Sequence, residues 1–370
     1  MLFDAYVPTR TSHALEVRVR SESIGPVVLT LGTVEITLSE PLLSHRGRYF
    51  FRHVFDGLPA AAQFRLQALD KITRTATALD TATLPAPIGK PKIKVGLLAD
   101  LHLSLERACI DDYRPGDRRL HGLSIELTEH YIKRLETLGA DAIVLPGDLV
   151  EPCTERTVAR LSEILSTVSI PCYPIIGNHE PWSPGGVAVF HRGLGLPSSG
   201  YYAVTLAGVR LIMLSTPTPE ALSVGSAQYR WLEAELDAAA PPLDVVLFSH
   251  FSLLLHPCVE GFRNDGYQLL ESHRALRRLL GRYPNVRVFS AGHKNVPSKL
   301  LSDRTLHLLS PQLIQAPCAY DMIGLYEGGV TRTTYEIDEQ HYVELARSAY
   351  EHDWAVRYGD EAHRNFWHEY

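Results

Sequence analysis

The chain contains 370 residues, of which 45% are hydrophobic and 21% are charged, and it carries a formal net charge of -6. This composition excludes a disordered chain and a fibrous repeat. The mildly acidic balance gives no general attraction for nucleic acid or an anionic membrane, so neither is an expected partner. Because the N-terminus lacks a basic segment followed by an apolar stretch, and no apolar run reaches about 18 residues, we expect a cytoplasmic protein.

Residues 1–86 have the pattern of an all-β sandwich. Short alternating stretches such as ALEVRVR, VEITLS and QFRLQAL are separated by Gly, Pro and Ser. The stretch FDGLPAAAQFRLQAL resembles the strand, turn and strand near the end of a fibronectin type III module. We expect a structural or oligomerising domain here, which would make a homo-oligomer, and a Pro-rich linker at residues 87–92.

From residue 93 the pattern changes to strands and helices in alternation. Apolar runs suited to buried strands, among them KVGLLA, DAIVLP and DVVLFS, alternate with amphipathic stretches such as LSIELTEHYIKRLETL. This pattern predicts a layered α/β domain at residues 93–335. Residues 336–370 are expected to form one or two helices, as a C-terminal helical tail.

Several of these apolar runs are followed at once by side chains that bind metals. The residues concerned are Asp100, His102, Asp148, Asn178, His179, His250 and His293. Ligands of open α/β sheets bind at the carboxyl ends of the strands, where the loops diverge. We therefore expect these side chains to converge on one site.

The order D-x-H, G-D, G-N-H-E, H and G-H resembles the calcineurin-like metallophosphoesterases over about residues 93–315. The resemblance implies a four-layer α/β/β/α sandwich and a hydrolase that acts on phosphoric esters with two metal ions. The motifs are more similar to the phosphodiesterase and cyclic-nucleotide branch than to the secreted purple acid phosphatases. The tyrosine ligand of those phosphatases is absent, since Leu149 and Val150 follow Asp148.

The resemblance assigns two sets of metal ligands. Asp100, His102 and Asp148 would hold a first metal, and Asp148, Asn178, His250 and His293 would hold a second. Asp148 would bridge the two, because a carboxylate has two oxygens and can span cations about 3.5–4 Å apart. Nitrogen and oxygen ligands without a thiolate favour Mn, Fe or Zn.

The segment GNHE would also supply the catalytic groups. The resemblance places His179 above the metals, where it could protonate the leaving group or hold a phosphate oxygen. It assigns to Glu180 the orientation of that imidazole, as a working histidine usually has such a partner.

The final motif departs from the family pattern. The family typically has G-H-x-H, whereas this chain has GHKN and places Asn295 at the last position. Three arrangements remain open for the first metal: Asn295 coordinates through its oxygen, water completes a three-ligand site, or His121 or His256 takes the position. We favour the first two.

The stretch LSLERACIDDYRPGDRRLHG follows the first motif and is rich in arginine. Arg118 and Arg119 are expected to bind the phosphate of the substrate, because a guanidinium offers a fork of donors to it. A solvated surface loop is the alternative.

These observations predict a phosphodiesterase for a small-molecule phosphate ester, with a metal-bridging hydroxide as the nucleophile. A phosphomonoesterase and a catalytically weakened metal-binding scaffold are the alternatives. A nuclease is disfavoured, since the sequence offers no clear basic channel.

Overall fold

The computed structural model describes residues 3–45, 47–105, 111–114, 117–239, 241–257, 270–348 and 357–370. At residues 111–114 and 117–118 only the backbone is described. Within these residues no helix is both long enough and apolar enough to cross a lipid bilayer.

Eight antiparallel strands form an N-terminal sandwich. They are β1 (Phe3–Arg10), β2 (Leu15–Ser21), β3 (Val27–Leu31), β4 (Val34–Leu38), β5 (Leu43–His45), β6 (Arg48–Phe55), β7 (Gln63–Asp70) and β8 (Ala76–Ala82). One sheet has the order β1-β2-β6-β5 and the other β4-β3-β7-β8. Alternate residues of the strands, such as Leu15, Val17 and Leu29, are fully buried between the sheets, as the period of two requires.

Two six-stranded sheets form the second part of the molecule. The strands of the first are β9 (Pro91–Leu97), β12 (Ala142–Pro146), β13 (Cys172–Ile175), β20 (Ala319–Tyr326), β21 (Gly329–Glu336) and β22 (Asn365–Glu369). The strands of the second are β14 (Tyr202–Leu206), β15 (Val209–Met213), β16 (Asp244–Ser249), β17 (Val286–Ala291), β18 (Ser298–Ser302) and β19 (Thr305–Leu309). Their orders are β13-β12-β9-β20-β21-β22 and β14-β15-β16-β17-β19-β18. Between β9 and β12 lies a small hairpin of β10 (Asp111–Arg114) and β11 (Asp117–Arg119).

Helices cover the outer faces of both sheets. They are α1 (Ser124–Thr137), α2 (Glu155–Leu165), α3 (Gly186–Gly193), α4 (Ala227–Ala238), α5 (His273–Leu280), α6 (Gln340–Ser348) and α7 (Glu361–Arg364). Val144 on β12 and Phe248 on β16 lie in a core between the two sheets, whereas their neighbours Ile143 and Leu247 face the helical layers. The predicted fold class is confirmed: four α/β/β/α layers follow an all-β sandwich.

A buried arginine joins the sandwich to the α/β part. Arg18 is 2% exposed and donates to Glu16 Oε1 at 2.6 Å within its own strand. It also donates to the carbonyl of Ile337 at 2.7 Å and to Asp338 Oδ1 at 3.3 Å, across the interface. The polar face of β2 is therefore buried against the α/β part, and these ionic groups are satisfied by each other.

The end of the chain differs from the predicted helical tail. Residues 365–369 form β22, which pairs with β21 and completes the first sheet. The side chain of Asn365 reaches the sandwich, where it donates to the carbonyl of Pro8 at 3.1 Å. By pairing there, β22 covers an edge of β21 that would otherwise be unpaired.

Replacing Arg18 is expected to destabilise the protein strongly. Arg18→Met removes the arginine nearest to the buried Glu16 and leaves it Arg52 as the remaining arginine partner, so we expect unfolding to cost about 2–3 kcal/mol less than in the wild type. Arg65→Met is the control, because Arg65 and Asp80 form an exposed ion pair at 2.9 Å, which contributes less than about 1 kcal/mol. Urea unfolding followed by circular dichroism measures both. Equal shifts of the midpoint would contradict the role given to Arg18.

Candidate metal centre

Five loops at strand ends bring the predicted ligands together. Asp100 and His102 follow β9, Asp148 follows β12, Asn178 follows β13, His250 follows β16 and His293 follows β17. Asp148 lies at the middle of the group, with its Oδ2 atom 3.3 Å from His250 Nε2 and 3.9 Å from His102 Nε2. The two packed sheets thus contribute to one site.

The backbone of the site is held in a conformation that non-glycine residues rarely adopt. Asp100, His102, Asp148, His293 and Asn295 all have positive φ, between 41° and 67°. Such residues cost free energy and persist where the surrounding structure fixes them, often at functional sites. Here the sharp turns direct successive side chains back over the ends of the strands.

Two glycines of the motifs allow this close approach. A Cβ on Gly177 would lie 2.3 Å from Asp148 Oδ1, and one on Gly147 would lie 2.3 Å from His250 Nδ1. Gly147 also has φ +93°, which favours glycine. The glycines before Asp148 and Asn178 are therefore steric requirements of the site.

The second ligand set consists of hydrogen-bond acceptors that face each other. His250 Nδ1 donates to the carbonyl of Pro146 at 2.9 Å, so Nε2 is the ring nitrogen that is left to bind a proton or a metal. That Nε2 lies 2.8 Å from Asn178 Oδ1 and 3.3 Å from Asp148 Oδ2. These lone pairs repel one another unless a proton or a metal cation lies among them.

The electrostatics of the site favour a proton in that place when no metal is bound. Burial opposes the protonation of His250, but the charge and hydrogen bond of Asp148 raise its pKa to about 9. Burial, together with the charge of Asp148, raises the pKa of Asp100 to about 7, against the opposing charge of His250. Protons and a metal cation therefore compete for the same place in the site.

The first ligand set contains an unpaired nitrogen. His102 Nδ1 donates to Glu151 Oε2 at 2.8 Å, while its buried Nε2 faces Asp148 and has no hydrogen-bond partner within the part of the chain that the structure describes. Burial and the positive charge of Arg119 lower the pKa of His102 to about 3, so the ring is neutral and Nε2 offers a lone pair. A buried acceptor without a donor is what a metal ligand requires.

Glu151 holds two imidazoles with one oxygen. His102 Nδ1 and His179 Nδ1 each lie 2.8 Å from Glu151 Oε2. Burial opposes the ionisation of Glu151, but these two hydrogen bonds keep its pKa well below the ordinary value. The sequence analysis did not single out Glu151, although an acid three residues after Asp148 in GDLVE was the available signal.

Glu180 has a different role from the one expected of it. Its carboxylate accepts hydrogen bonds from the backbone N–H of Leu149 at 2.6 Å, Val150 at 3.2 Å and Gly177 at 2.8 Å. It thereby ties the loop after β12 to the loop after β13. The expectation that Glu180 orients His179 is corrected, because Glu151 is the acid that contacts the imidazole.

Asn295 follows His293 by two residues and has one end of its side chain fixed. Its amide nitrogen donates to Gln315 Oε1 at 3.3 Å, and its buried Oδ1 has no hydrogen-bond partner among the described residues. Of the alternative histidines, His121 is buried with a ligand atom near those of His102 and Glu151, whereas His256 is engaged with Ser298 Oγ at 2.9 Å.

Of the two arginines predicted to bind substrate, the structure describes the side chain of only one. Arg119 is 9% exposed and its NH1 lies 3.9 Å from Glu151 Oε2, so it faces the site from the hairpin. The side chain of Arg118 lies outside the described residues.

The donors fit a pair of metal ions. Among the described residues, one ligand atom each from His102, Asp148 and His179 lies within 4.8 Å of the others, and the same holds for Asp148, His250 and His293. Both groups contain Asp148, so its carboxylate can serve two cations. Carboxylate, amide and imidazole donors suit Mn, Fe or Zn.

The comparison with known families decides the identity. The model of the calcineurin-like phosphoesterase family matches residues 93–297, more than half of the chain. The chain belongs to this family. It is therefore a dinuclear metal-dependent phosphoesterase, a hydrolase of phosphoric esters.

The calcineurin-like phosphoesterase is also similar to solved structures. A dimetal phosphatase from Danio rerio has a TM-score of 0.54 and 17% identity, covering 66% of this chain and 96% of that one. A purple acid phosphatase from yellow lupin (Lupinus luteus) has a TM-score of 0.47 and 13% identity, covering 90% of this chain and 72% of that one. No curated protein is significantly similar in sequence.

Removing the charge of Glu151 is expected to weaken metal binding. Glu151→Gln keeps the shape but loses the carboxylate that fixes both imidazoles, so we expect the Kd for Mn²⁺ to rise by about 10–100-fold. Isothermal titration calorimetry measures the change. Glu155→Gln is the control, because Glu155 is an exposed residue of α2 paired with Arg192. A wild-type Kd in Glu151→Gln would contradict this role.

Metal binding is expected to weaken as the pH falls. Asp100, with a pKa of about 7, holds a proton below that value, and His250, with a pKa of about 9, holds one up to that value. Each proton must leave when the metal binds. For each proton displaced, the Kd for Mn²⁺ should therefore rise by about 10-fold for every unit by which the pH falls. Calorimetry between about pH 6 and about pH 8 in buffers of different ionisation enthalpy counts the protons. A constant Kd without proton release would contradict the assignment.

Proposed function

We propose that this phosphoesterase hydrolyses small-molecule phosphodiesters with Mn, Fe or Zn in its two sites. The observation that carries the proposal is the shared carboxylate of Asp148, which belongs to two groups of histidine donors. When bound, the metal pair acidifies a water molecule and neutralises charge on the phosphate.

The residues around the centre prepare this chemistry. Glu180 fixes the two loops that carry Asp148 and Asn178, and the N–H of His179 donates to Asp148 Oδ1 at 2.9 Å. Arg119 lies at the edge of the centre beside Glu151, where its guanidinium can also contact a phosphate oxygen. These contacts hold the ligands in place before the substrate binds, so that little reorganisation is needed.

The charge of the site favours a diester over a monoester. In the described part of the site, Arg119 is the one guanidinium beside the ligands, and the carboxylate of Glu151 already offsets it. A monoester carries about 1.5–2 negative charges at neutral pH, whereas a diester carries one. A diester therefore requires less positive charge from the protein than a monoester does.

A homo-oligomeric state and a cytoplasmic location remain predictions.

The substrate class can be tested with two chromogenic esters. With Mn²⁺ added, we expect kcat/KM for bis(p-nitrophenyl) phosphate to exceed that for p-nitrophenyl phosphate by about 10-fold or more, which is about 1.4 kcal/mol of selective transition-state binding. Asp148→Asn should abolish both activities, because the amide cannot bridge two cations. A preference for the monoester would move the assignment to a phosphomonoesterase. No turnover of either ester with any of the three metals would favour a scaffold.

A further inference from the structure

We infer, on the basis of the proposed function, that Trp182 binds a planar aromatic ring of the substrate beside the metal centre. The preferred phosphoric esters would then carry an aryl or heteroaryl group. Trp182 is 56% exposed, although its indole packs against the buried imidazole of His179 at the centre.

The indole of Trp182 lies at the edge of the metal centre. Its ring centroid is 3.7 Å from that of His179, with an angle of 35° between the ring planes. The imidazole in turn lies close to the shared carboxylate, since its Nε2 atom is 3.7 Å from Asp148 Oδ2. One ring therefore separates the indole from the ligand atoms, and an aromatic group attached to a phosphate at the metals can reach it.

Much of the surface of Trp182 is left uncovered. Tryptophan side chains are highly buried on average, because their apolar surface is large. Single exposed apolar residues are common on proteins, and what distinguishes Trp182 is its contact with the centre. Covering the remaining surface with a flat apolar group removes it from water, which is favourable. The exposed indole is therefore suited to a ligand that also occupies the metals.

The short turn that carries Trp182 is fixed on both sides. Before it, the buried carboxylate of Glu180 accepts three backbone N–H groups. After it, Ser183 Oγ accepts from the N–H of Cys153 at 2.8 Å. The N–H of Trp182 itself donates to the carbonyl of His179 at 3.1 Å. A rigid aromatic side chain held in this way can bind a ring with little loss of conformational freedom.

A second aromatic residue of the centre, Phe251, offers no such surface. It is 1% exposed, and its ring packs against that of His293 with the centroids 4.5 Å apart. Of these two aromatic side chains, Trp182 is the one that can contact a ligand.

The shape and charge of the indole favour a flat ring as its ligand. The face of an aromatic ring is negative and its edge is positive, so two rings attract each other in offset-stacked or edge-to-face arrangements. A saturated group of the same size gains only from the burial of its apolar surface. Trp182 is therefore expected to select aromatic over aliphatic esters.

The binding of three phosphonates to the Mn²⁺-loaded protein tests the inference. Phenylphosphonate, cyclohexylphosphonate and methylphosphonate present the same anionic group to the metals, but only the first carries a flat ring. Isothermal titration calorimetry at one pH measures each Kd. We expect the wild type to bind phenylphosphonate about 10-fold more tightly than methylphosphonate, as stacking on one aromatic side chain provides, with cyclohexylphosphonate between the two.

Variants assign the preference to Trp182. In Trp182→Ala, the Kd for phenylphosphonate should rise by about 10-fold while that for methylphosphonate changes by less than about 2-fold. Trp182→Phe keeps a flat ring and should retain most of the preference. Val34→Ala, which alters an exposed apolar residue of β4 in the sandwich, is the control. If Trp182 only positioned His179, the alanine variant would weaken both phosphonates by the same factor, and that result would overturn the inference.

Failure of the inference and failure of the proposed function give different results. A wild type that binds phenylphosphonate no more tightly than methylphosphonate or cyclohexylphosphonate overturns the inference and leaves the phosphate site in place. This comparison does not depend on the folding of any variant. A wild type that binds Mn²⁺ but none of the three phosphonates overturns the proposed function, and the inference with it.

Discussion

The site depends on a cluster of acceptors whose lone pairs face one another. Nε2 of His102 and of His250 face the carboxylate of Asp148, and Asn178 Oδ1 faces His250 Nε2, so the arrangement is stable only around a positive charge. A proton on His250 provides it in the absence of metal, and a pair of cations provides it in the active molecule. Because a metal ion must displace that proton, metal binding at the centre depends on pH.

Hydrogen bonds to the carboxylates around the centre explain how residues with positive φ persist in its loops. Glu180 binds three backbone N–H groups of two loops, and the carboxylates of Asp100 and Asp148 accept from the N–H groups of His293 and His179. The carboxylates of the centre thus fix the backbone of neighbouring loops as well as being available to metal. The cost of positive φ at five residues is offset by these bonds and by the packed sheets beneath.

The proximity of the predicted ligand residues could be inferred from the sequence because their signal is local. Each follows an apolar strand directly, and the ends of parallel strands necessarily meet at one edge. Glu151 was missed because its role depends on two rings that lie 49 and 28 residues away in the chain. Glu180 was given the orienting role on sequence adjacency, yet in the tight turn its side chain reaches the neighbouring loops. The burial of Arg18 could not be predicted, because it depends on contacts with Ile337 at the far end of the chain. The last strand could not be predicted either, because it depends on pairing with β21, more than thirty residues earlier in the chain.

The last strand also constrains the order in which the molecule can be assembled. β22 follows every other strand in the chain, yet it closes the edge of the first sheet and reaches Pro8 in the sandwich through Asn365. During synthesis the sheet that carries Asp100 and Asp148 keeps the edge of β21 unpaired until residues 365–369 have been made. Until then that edge is open to pairing with other chains.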